Sequence, residues 1–354
     1  MRAAQGAPSA PAAHAGPEAL AESFARAVQG ALAEPAVHAV PGTLAQPAVH
    51  AVPGALAEPA AHAVPGALAQ PASPAVPDLL AAYGAAALVA WIACRLRWLD
   101  RGGSAAAFVV GGTIFAFGGW PKAALLLVFF VTSSLLSRLP RPGPGDARSA
   151  RRQAEPGGFR PRRAAKEGRK SRQVVANGAV AAGLAVLAAS AGQSGPFPGW
   201  ADLAFAGAIA AVAADTWATE IGRFFGQVPR SAATLRPLEP GESGGMTTAG
   251  TFGGMMGAGL IGWAAALVLP GVGAREALVL EAAGALGMWV DSLLGASVQF
   301  KGACPECGRV VEDPAHPHAL SWTRGIRLFD NDAVNLCASV TGALAAVYLA
   351  LAWG

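Results

Sequence analysis

The stretch WADLAFAGAIAAVAADTWATEIG, residues 200–222, is an apolar run that closes on an aspartate and a glutamate. Its apolar part is long enough to cross a lipid bilayer, since a helix rises about 1.5 Å per residue. Asp215 and Glu220 then lie where such a helix would meet water. The whole chain shares this apolar character, because 53% of its 354 residues are hydrophobic and only 14% are charged. These proportions are typical of a polytopic membrane protein and not of a soluble globular one.

Apolar runs of about twenty residues recur along the chain from Leu79 onward. They predict eight spans, at residues 79–97, 103–120, 122–138, 173–191, 200–219, 249–269, 276–298 and 335–353. The predicted fold is therefore all-α, a polytopic membrane helix bundle of about eight transmembrane helices. This integral membrane domain covers residues 79–354.

Residues 1–78 are Ala/Pro-rich, and residues 31–78 consist of four twelve-residue repeats of the type ALAEPAVHAVPG. Recurrent prolines prevent a continuous helix, and the repeats carry too little large apolar surface for a core. We therefore predict a disordered tail. Tandem duplication explains the repeated His38, His50 and His62, although metal binding is an alternative. The first thirty residues lack a signal-peptide pattern, and a native start near Val76 is an open hypothesis.

The loop at residues 138–172 carries twelve basic residues against three acidic ones, whereas the whole chain has a net charge of only +4. The positive-inside rule places this loop in the cytoplasm. Counting alternate spans puts the other polar loops on the same side, and the N-terminal tail outside a multi-pass protein of the cell membrane. Contact of the basic loop with anionic lipid or nucleotide is an additional interpretation.

Carboxylates interrupt the apolar spans near this predicted cytoplasmic side. On a helix, Asp215 and Glu220 share a polar stripe, and Asp291 lies in a later span at a similar depth. Charged groups at the hydrocarbon boundary are costly unless they face a bundle interior or a wet cavity, so we interpret them as functional. A simpler interpretation of Glu220 is that it pairs with Arg223 and marks the membrane edge.

A third polar set precedes the last span in LFDNDAVN, residues 328–335, and contains Asp330, Asn331, Asp332 and Asn335. A helix N-cap with first-turn acids is the alternative interpretation of any one of them. Three acidic sites on one membrane face together favour Mg²⁺, a hard cation that prefers oxygen ligands and usually holds phosphates. The predicted magnesium ligands are Asp215, Glu220, Asp291 and Asp332.

The run PGESGGMTTAGTFGGMMGAG, residues 240–259, joins a polar loop to a span. Its first part can present backbone N–H groups and hydroxyls to a phosphate at a helix N-terminus. The candidate phosphate-binding residues are Gly241, Ser243, Gly244, Gly245 and Thr247. The later glycines fit small-residue helix packing better. The chain contains neither of the common phosphate-binding motifs, GxxxxGK[ST] and GxGxxG.

The segment KGACPECGRVVEDPAHPHAL, residues 301–320, contains a CxxCG pair followed by two histidines. A CxxC pair is half of a tetrahedral zinc site, and two histidines complete the ligand number. Cys304, Cys307, His316 and His318 are therefore candidate ligands of a structural Zn²⁺ in a loop at residues 300–325. The chain has only four cysteines, which do not indicate a disulfide framework.

Several of these segments together resemble a known family. QVVANGAVAAGLA at 173–185, AADTWATEIG at 213–222, ESGGMTTAGTFGG at 242–254, Asp291 with SVQF, the CxxCG loop and NDAVN at 331–335 are similar to the domain-of-unknown-function 92 membrane family. That family includes transmembrane protein 19 and a plant phytyl-phosphate kinase. The resemblance covers roughly residues 80–354 and leaves the repeats unexplained.

The resemblance implies a membrane-embedded kinase that transfers a phosphoryl group from a nucleoside triphosphate, preferably CTP, to phytyl or another polyprenyl monophosphate. Asp215, Glu220 and Asp291 are then the candidate catalytic residues. Arg172 and Arg223 would neutralise the transferred phosphate, because phosphoryl transfer depends mostly on positioning and electrostatics. Polar support would come from Asn177, Asn331 and Asn335. Glu242 departs from the expected pattern, since a small hydroxyl residue is expected before SGG and a carboxylate opposes phosphate binding unless it reaches a metal.

An ion-coupled secondary transporter is the main alternative, because intramembrane acids and glycine-rich helices also mark ion pathways. A prenyltransferase or an alcohol-phosphate transferase is less consistent, since neither DDxxD nor a DGxxAR-type motif occurs. The expected partners are membrane lipid, the isoprenoid monophosphate and the nucleoside triphosphate, with no nucleic acid.

Overall fold

A computed structural model describes residues 74–139, 168–191, 199–306, 309–312, 316 and 318–353. Over these residues the chain forms seven long helices and two small antiparallel sheets. The predicted disordered tail lies outside the described residues except for its last few positions. Most of the predicted basic loop, residues 140–167, also lies outside them.

All seven helices are long and apolar enough to cross a membrane, which confirms the helical membrane fold. Their bounds are α1 (Val76–Arg95), α2 (Arg101–Leu136), α3 (Ser171–Ala191), α4 (Trp200–Phe225), α5 (Thr248–Val268), α6 (Ala274–Ser297) and α7 (Asn331–Trp353). The strands are β1 (Arg230–Ser231), β2 (Gly245–Met246), β3 (Lys301–Cys304), β4 (Arg309–Val311) and β5 (Ser321–Arg324).

Helix α2 contains a sharp break at Gly119, whose φ of 70° and ψ of −176° are not helical. Such a combination is accessible essentially to glycine alone. Pro121 follows, at the start of the second arm, where its missing N–H costs no hydrogen bond. The break therefore separates two arms within α2.

The two arms of α2 fold back on each other. Arg138, just beyond the second arm, donates a hydrogen bond to the carbonyl of Leu96, just before the first arm. The ring of Phe130 in the second arm also lies 5.7 Å from the ring of Trp98. A straight helix of this length would separate its ends by about 50 Å. The arms thus correspond to the predicted spans at 103–120 and 122–138.

The helices pass back and forth between two ends of the bundle. One end, called the basic face, carries Arg138, Arg169 and Arg223. The opposite end holds an ion pair between Lys122 and Asp202, with an N–O distance of 2.6 Å. With the two arms of α2, the described chain makes eight passes, as predicted. The cytoplasmic orientation of the basic face stays a prediction.

Helix α4 is the centre of the bundle. Residues 204–214 of α4 are all buried, on every side of the helix. A helix buried all round needs neighbours on every face, and small side chains allow them to come close. Gly250, Gly254 and Gly257 of α5 lie against backbone carbonyls of α4, where an added Cβ would approach to 2.8–3.0 Å. The predicted packing role of these later glycines is confirmed.

The all-α prediction omitted two small sheets on the basic face. Strands β1 and β2 pair with each other, and β3 lies between β4 and β5 in an antiparallel sheet. Both sheets are built from the loops that follow α4 and α6, which contain the glycine run and the cysteine segment.

Gly119 provides a test of the hairpin. Replacing Gly119 with Ala should destabilise the protein by about 1–3 kcal/mol, because a Cβ is strained at this positive φ. We expect a lower melting temperature in detergent, measured by intrinsic tryptophan fluorescence. Gly84→Ala in α1 is the matched control, since nothing lies within 4 Å of a Cβ there. Equal melting temperatures for the two variants would contradict the break at Gly119.

Candidate functional site

Two carboxyl groups from different helices meet near the basic face. Asp215 of α4 and Asp291 of α6 are hydrogen-bonded through their side chains. The charge of Arg223, two turns further along α4, also acts on Asp215. Atom Oδ2 of Asp291 is buried and has no hydrogen-bond partner among the described residues. The sequence predicts a similar depth for both residues, and the structure brings them together.

The packing of three helices explains this meeting. Small residues of α4, α6 and α7, namely Ala211, Gly287 and Ala338, form a contact layer. A Cβ added to Gly287 would overlap the Cβ of Ala211 and lie 2.9 Å from the carbonyl oxygen of Ala338. Asp215 and Asp291 each follow a residue of this layer by one helical turn toward the basic face. Asn335 precedes Ala338 by three residues on α7, which runs in the opposite direction. Asn335 therefore lies at about the same level of the bundle.

This arrangement fits a divalent cation. Two carboxyl groups in contact repel each other when both are ionised, and a shared cation removes that repulsion. The unpartnered Oδ2 of Asp291 supplies a buried acceptor that needs a donor or a metal. Among the described residues, no third acidic side chain comes close enough to complete a three-carboxylate group. The four predicted magnesium ligands are thus brought together only as the pair Asp215 and Asp291.

Glu220 lies in a different cluster. Its Oε1 accepts a hydrogen bond of 3.0 Å from the hydroxyl of Ser137, which follows the second arm of α2. The guanidinium of Arg169 is also nearby: burial lowers its pKa, and the charge of Glu220 opposes that shift. Arg169 lies over the rings of Phe129 and Phe130, at 5.8 and 5.9 Å. Neither Arg169 nor Ser137 was predicted as a partner of Glu220.

Asp332 lies in a third cluster, which also contains Asp330 and Arg172. The Nε of Arg172 is 3.0 Å from a carboxylate oxygen of Asp332, and Nη2 contacts Asp330. Asp330 also accepts hydrogen bonds from the backbone N–H groups of Asp332 and Ala333, so it caps α7. The N-cap interpretation is therefore confirmed for Asp330. Arg172 joins α3 to α7 through these carboxylates, while Asn331 is exposed at the first position of α7.

The glycine loop, defined as residues 240–247, covers the ends of α4 and α6. A Cβ at Gly244 would overlap the backbone of Ala296, five residues after Asp291. At the other end of the loop, a Cβ added to Gly222 would lie 2.7 Å from the hydroxyl oxygen of Thr247. Gly222 follows Asp215 by seven residues in α4. Thr247 also caps α5 by accepting a hydrogen bond from the N–H of Gly250. The loop thus lies one to two turns beyond the carboxyl pair, on the basic face.

Polar residues that sequence analysis missed hold the glycine loop. The Nζ of Lys301, a residue only 3% exposed, lies 2.7 Å from Glu242 and 3.5 Å from Glu312. Glu312 accepts hydrogen bonds from the backbone N–H and the hydroxyl of Ser243. Gln299 donates to that hydroxyl at 3.1 Å. Lys301 therefore compensates the charge of Glu242, the residue that departs from the family pattern.

An apolar cavity of about 400 Å³ lies between α1, both arms of α2 and α3. It extends from Trp120, near the opposite end, to Arg169 on the basic face. The polar wall near the basic face includes Gln173 and Asn177, and Asn177 is only 8% exposed. A ligand with a long apolar chain and an anionic head group would fit the apolar lining and the polar end of this cavity.

The remaining predicted residues fall in two places. Gly241 and Gly245 belong to the glycine loop, and Gly245 pairs with Ser231 between β2 and β1. Cys304, His316 and His318 converge on the sheet formed by β3, β4 and β5. Cys307 lies outside the described residues.

Two glycines of one loop offer a matched stability test. Gly241 and Gly244 both have positive φ, at 94° and 81°, but only Gly244 packs against a helix. Gly244→Ala should therefore cost about 1–3 kcal/mol more than Gly241→Ala, through overpacking against α6. Thermal unfolding in detergent measures this difference. Equal losses would show that the loop does not pack on α6.

Known sequences give a clear assignment. The profile of the family described as "Integral membrane protein DUF92" matches residues 84–343. Protein PGR of Arabidopsis thaliana is 30% identical over 295 residues, covering 75% of this chain and 94% of that protein. An uncharacterised membrane protein of Methanocaldococcus jannaschii is 27% identical over 256 residues, covering 72% and 86% of the two chains.

A Synechocystis membrane protein, also uncharacterised, is 27% identical over 202 residues, covering 55% of this chain and 70% of its own. No solved structure matches the chain. The family match covers most of the chain and includes every described helix at least in part. This chain therefore belongs to the DUF92 family of integral membrane proteins.

Proposed function

We propose that this protein is an isoprenoid-phosphate kinase that transfers a phosphoryl group from a nucleoside triphosphate, preferably CTP, to phytyl or another polyprenyl monophosphate. The observation that carries the proposal is the carboxyl pair of Asp215 and Asp291 beside the glycine loop. Acidic oxygens next to a glycine-rich loop at a helix N-terminus are suited to a metal-bound triphosphate. The family resemblance of these same segments implies the same activity.

The donor would bind on the basic face. Asp215 and Asp291 would hold Mg²⁺, with Asn335 at the same level as a further oxygen donor. Bound there, Mg²⁺ would neutralise charge on the donor phosphates. The N-terminus of α5 lies beyond the pair, where the helix dipole would favour an anion, while the N–H groups of Ala249 and Gly250 already donate to Gln227 and Thr247. Lys301 offsets Glu242 and Glu312, so the loop does not present two uncompensated carboxylates to an anion.

The acceptor would enter from the lipid. Its apolar tail would occupy the cavity between α1, α2 and α3, and its phosphate would lie near Arg169. The charge of Glu220, which accepts a hydrogen bond from Ser137, acts on Arg169 and would help to hold this cation at the cavity wall. A fixed cation lowers the cost of bringing two phosphates together.

The chemistry needs positioning more than acid–base catalysis. An oxygen of the acceptor monophosphate attacks the terminal phosphorus of the donor. The bond from this phosphorus to the bridging oxygen breaks, and the nucleoside diphosphate leaves. No water or redox partner is consumed. Arg169 and Arg223 would stabilise charge on the equatorial oxygens as the phosphoryl group moves.

An ion-coupled secondary transporter is the second candidate. The observation in its favour is the ion pair of Lys122 with Asp202 at the opposite end, where Lys122 is only 8% exposed. The break at Gly119 adds a discontinuous helix beside that pair. Transport requires polar groups reachable from both ends of the bundle, and discontinuous helices are common in transporters.

Label transfer distinguishes these functions. Purified protein in lipid nanodiscs is given Mg²⁺, labelled CTP or ATP, and phytyl monophosphate, and the diphosphate is measured. We expect transfer that falls by roughly 10²–10³-fold in Asp215→Asn and in Asp291→Asn, because each removes charge where the donor is held.

Glu281→Gln is the matched control, since Glu281 is another carboxylate of α6 but lies nearer the opposite end. It should retain the transfer rate of the wild type. Size-exclusion profiles establish that each variant is folded. If folded wild-type protein transfers no label from any donor, the result would contradict the kinase hypothesis and favour the transporter hypothesis.

The cavity makes a separate prediction about the acceptor. Ala86→Phe places a ring in the cavity, so KM for phytyl monophosphate should rise about tenfold while KM for the nucleotide stays unchanged. Leu88→Phe in the same helix is the control, because Leu88 is 58% exposed on the outside of α1. An unchanged acceptor KM in Ala86→Phe would exclude this cavity as the tail site.

A further inference from the structure

The described ligand atoms of Cys304, His316 and His318 all lie within 4.8 Å of one another. Cys304 ends β3 and is 1% exposed, whereas both histidines lie in the segment between β4 and β5. Residues distant in sequence are thus gathered at one corner of the sheet. We propose that these three side chains bind a structural Zn²⁺ that fastens the sheet to the glycine loop.

One pair of ligand atoms has the spacing of a tetrahedral zinc site. The Sγ of Cys304 lies 3.6 Å from the Nδ1 of His318. Zinc bonds of about 2.3 Å to sulfur and 2.0–2.1 Å to nitrogen, at a tetrahedral angle, place these atoms about 3.6 Å apart. The rings of His316 and His318 are nearly perpendicular, with centroids 5.1 Å apart, so they do not stack.

The surroundings of His318 provide a second, independent observation. Its Nδ1 faces the cysteine sulfur, and its other ring nitrogen, Nε2, lies 3.5 Å from the carboxylate of Glu306. Metal-binding histidines typically present the second ring nitrogen to a carboxylate, which fixes the ring and its tautomer. The ligand set of one thiolate and two imidazoles favours zinc over magnesium or calcium.

Cys304 and the two histidines fill three of the four positions of a tetrahedral site, and the sheet that they join gives the metal a structural role.

The site connects to the glycine loop through two short paths. Lys301, at the start of β3, reaches Glu242 and the carbonyl of Ser243. Glu312, directly after β4, accepts two hydrogen bonds from Ser243. Zinc bound to Cys304 and to the segment after β4 would hold both strands in register. Loss of zinc should therefore loosen the glycine loop while the helix bundle stays folded.

Metal content tests the proposal. The protein is purified in detergent without chelators, and its zinc is measured by inductively coupled plasma mass spectrometry. We expect one zinc ion per chain in the wild type and strong depletion in Cys304→Ser and in His318→Ala. Cys337→Ser is the matched control and should keep its zinc, because Cys337 lies in α7. Zinc-free wild-type protein that takes up no added Zn²⁺ would overturn the proposal, as would full zinc content in Cys304→Ser.

Two further readouts separate metal binding from folding. Cobalt added to the chelator-treated wild type should give a sulfur-to-metal charge-transfer band that Cys304→Ser lacks. Chelation should increase protease cleavage within residues 240–247 in the wild type and in Cys337→Ser. Cobalt spectra without a thiolate band would contradict ligation by cysteine, and unchanged cleavage after zinc removal would contradict the coupling to the glycine loop.

Discussion

Close backbone approach at α4 is the constraint on which the rest of the bundle depends. Lipid tails are as apolar as side chains, so helices in a membrane associate through tight packing more than through hydrophobic burial. The small residues of α4 allow this, since a Cβ at Gly207 would overlap the carbonyl of Gly342 in α7. The same layer includes Gly287 of α6. Because three helices meet there without large side chains, polar groups placed one turn further lie face to face.

Charge is distributed around this packed layer in a consistent way. Glu220 is matched by Arg169 and Ser137, Asp332 by Arg172, and Glu242 by Lys301. Buried or partly buried charges persist when they are paired, because an unpaired one carries a desolvation cost. The carboxyl groups of Asp215 and Asp291 instead meet each other, and the charge of Arg223 also acts on Asp215. The proposed cation would lie at this pair, and the glycine loop lies one to two turns beyond it on the basic face.

Much of the fold was predictable because it depends on local patterns. Apolar run lengths gave the helices, and the glycine spacing after residue 249 gave the packing of α5 on α4. The hairpin within α2 was predictable as two spans, although the positive φ of Gly119 was not. Convergence of four carboxylates was expected because all of them lie at one membrane face, yet Glu220 lies about 140° around α4 from Asp215 and so faces a different neighbour. Lys301 and Arg169 were missed because their partners are far apart in sequence, and only tertiary packing brings them together.

The central claim is that Asp215 and Asp291 together bind a divalent cation. Electron paramagnetic resonance with Mn²⁺ in place of Mg²⁺ tests it most directly, because bound Mn²⁺ loses the sharp signal of the free ion. In the presence of a nucleotide, the purified wild type and Glu281→Gln should bind one Mn²⁺ per chain that Mg²⁺ displaces. The double variant Asp215→Asn/Asp291→Asn should lose this binding while staying folded. Equal Mn²⁺ binding in the double variant would contradict the account.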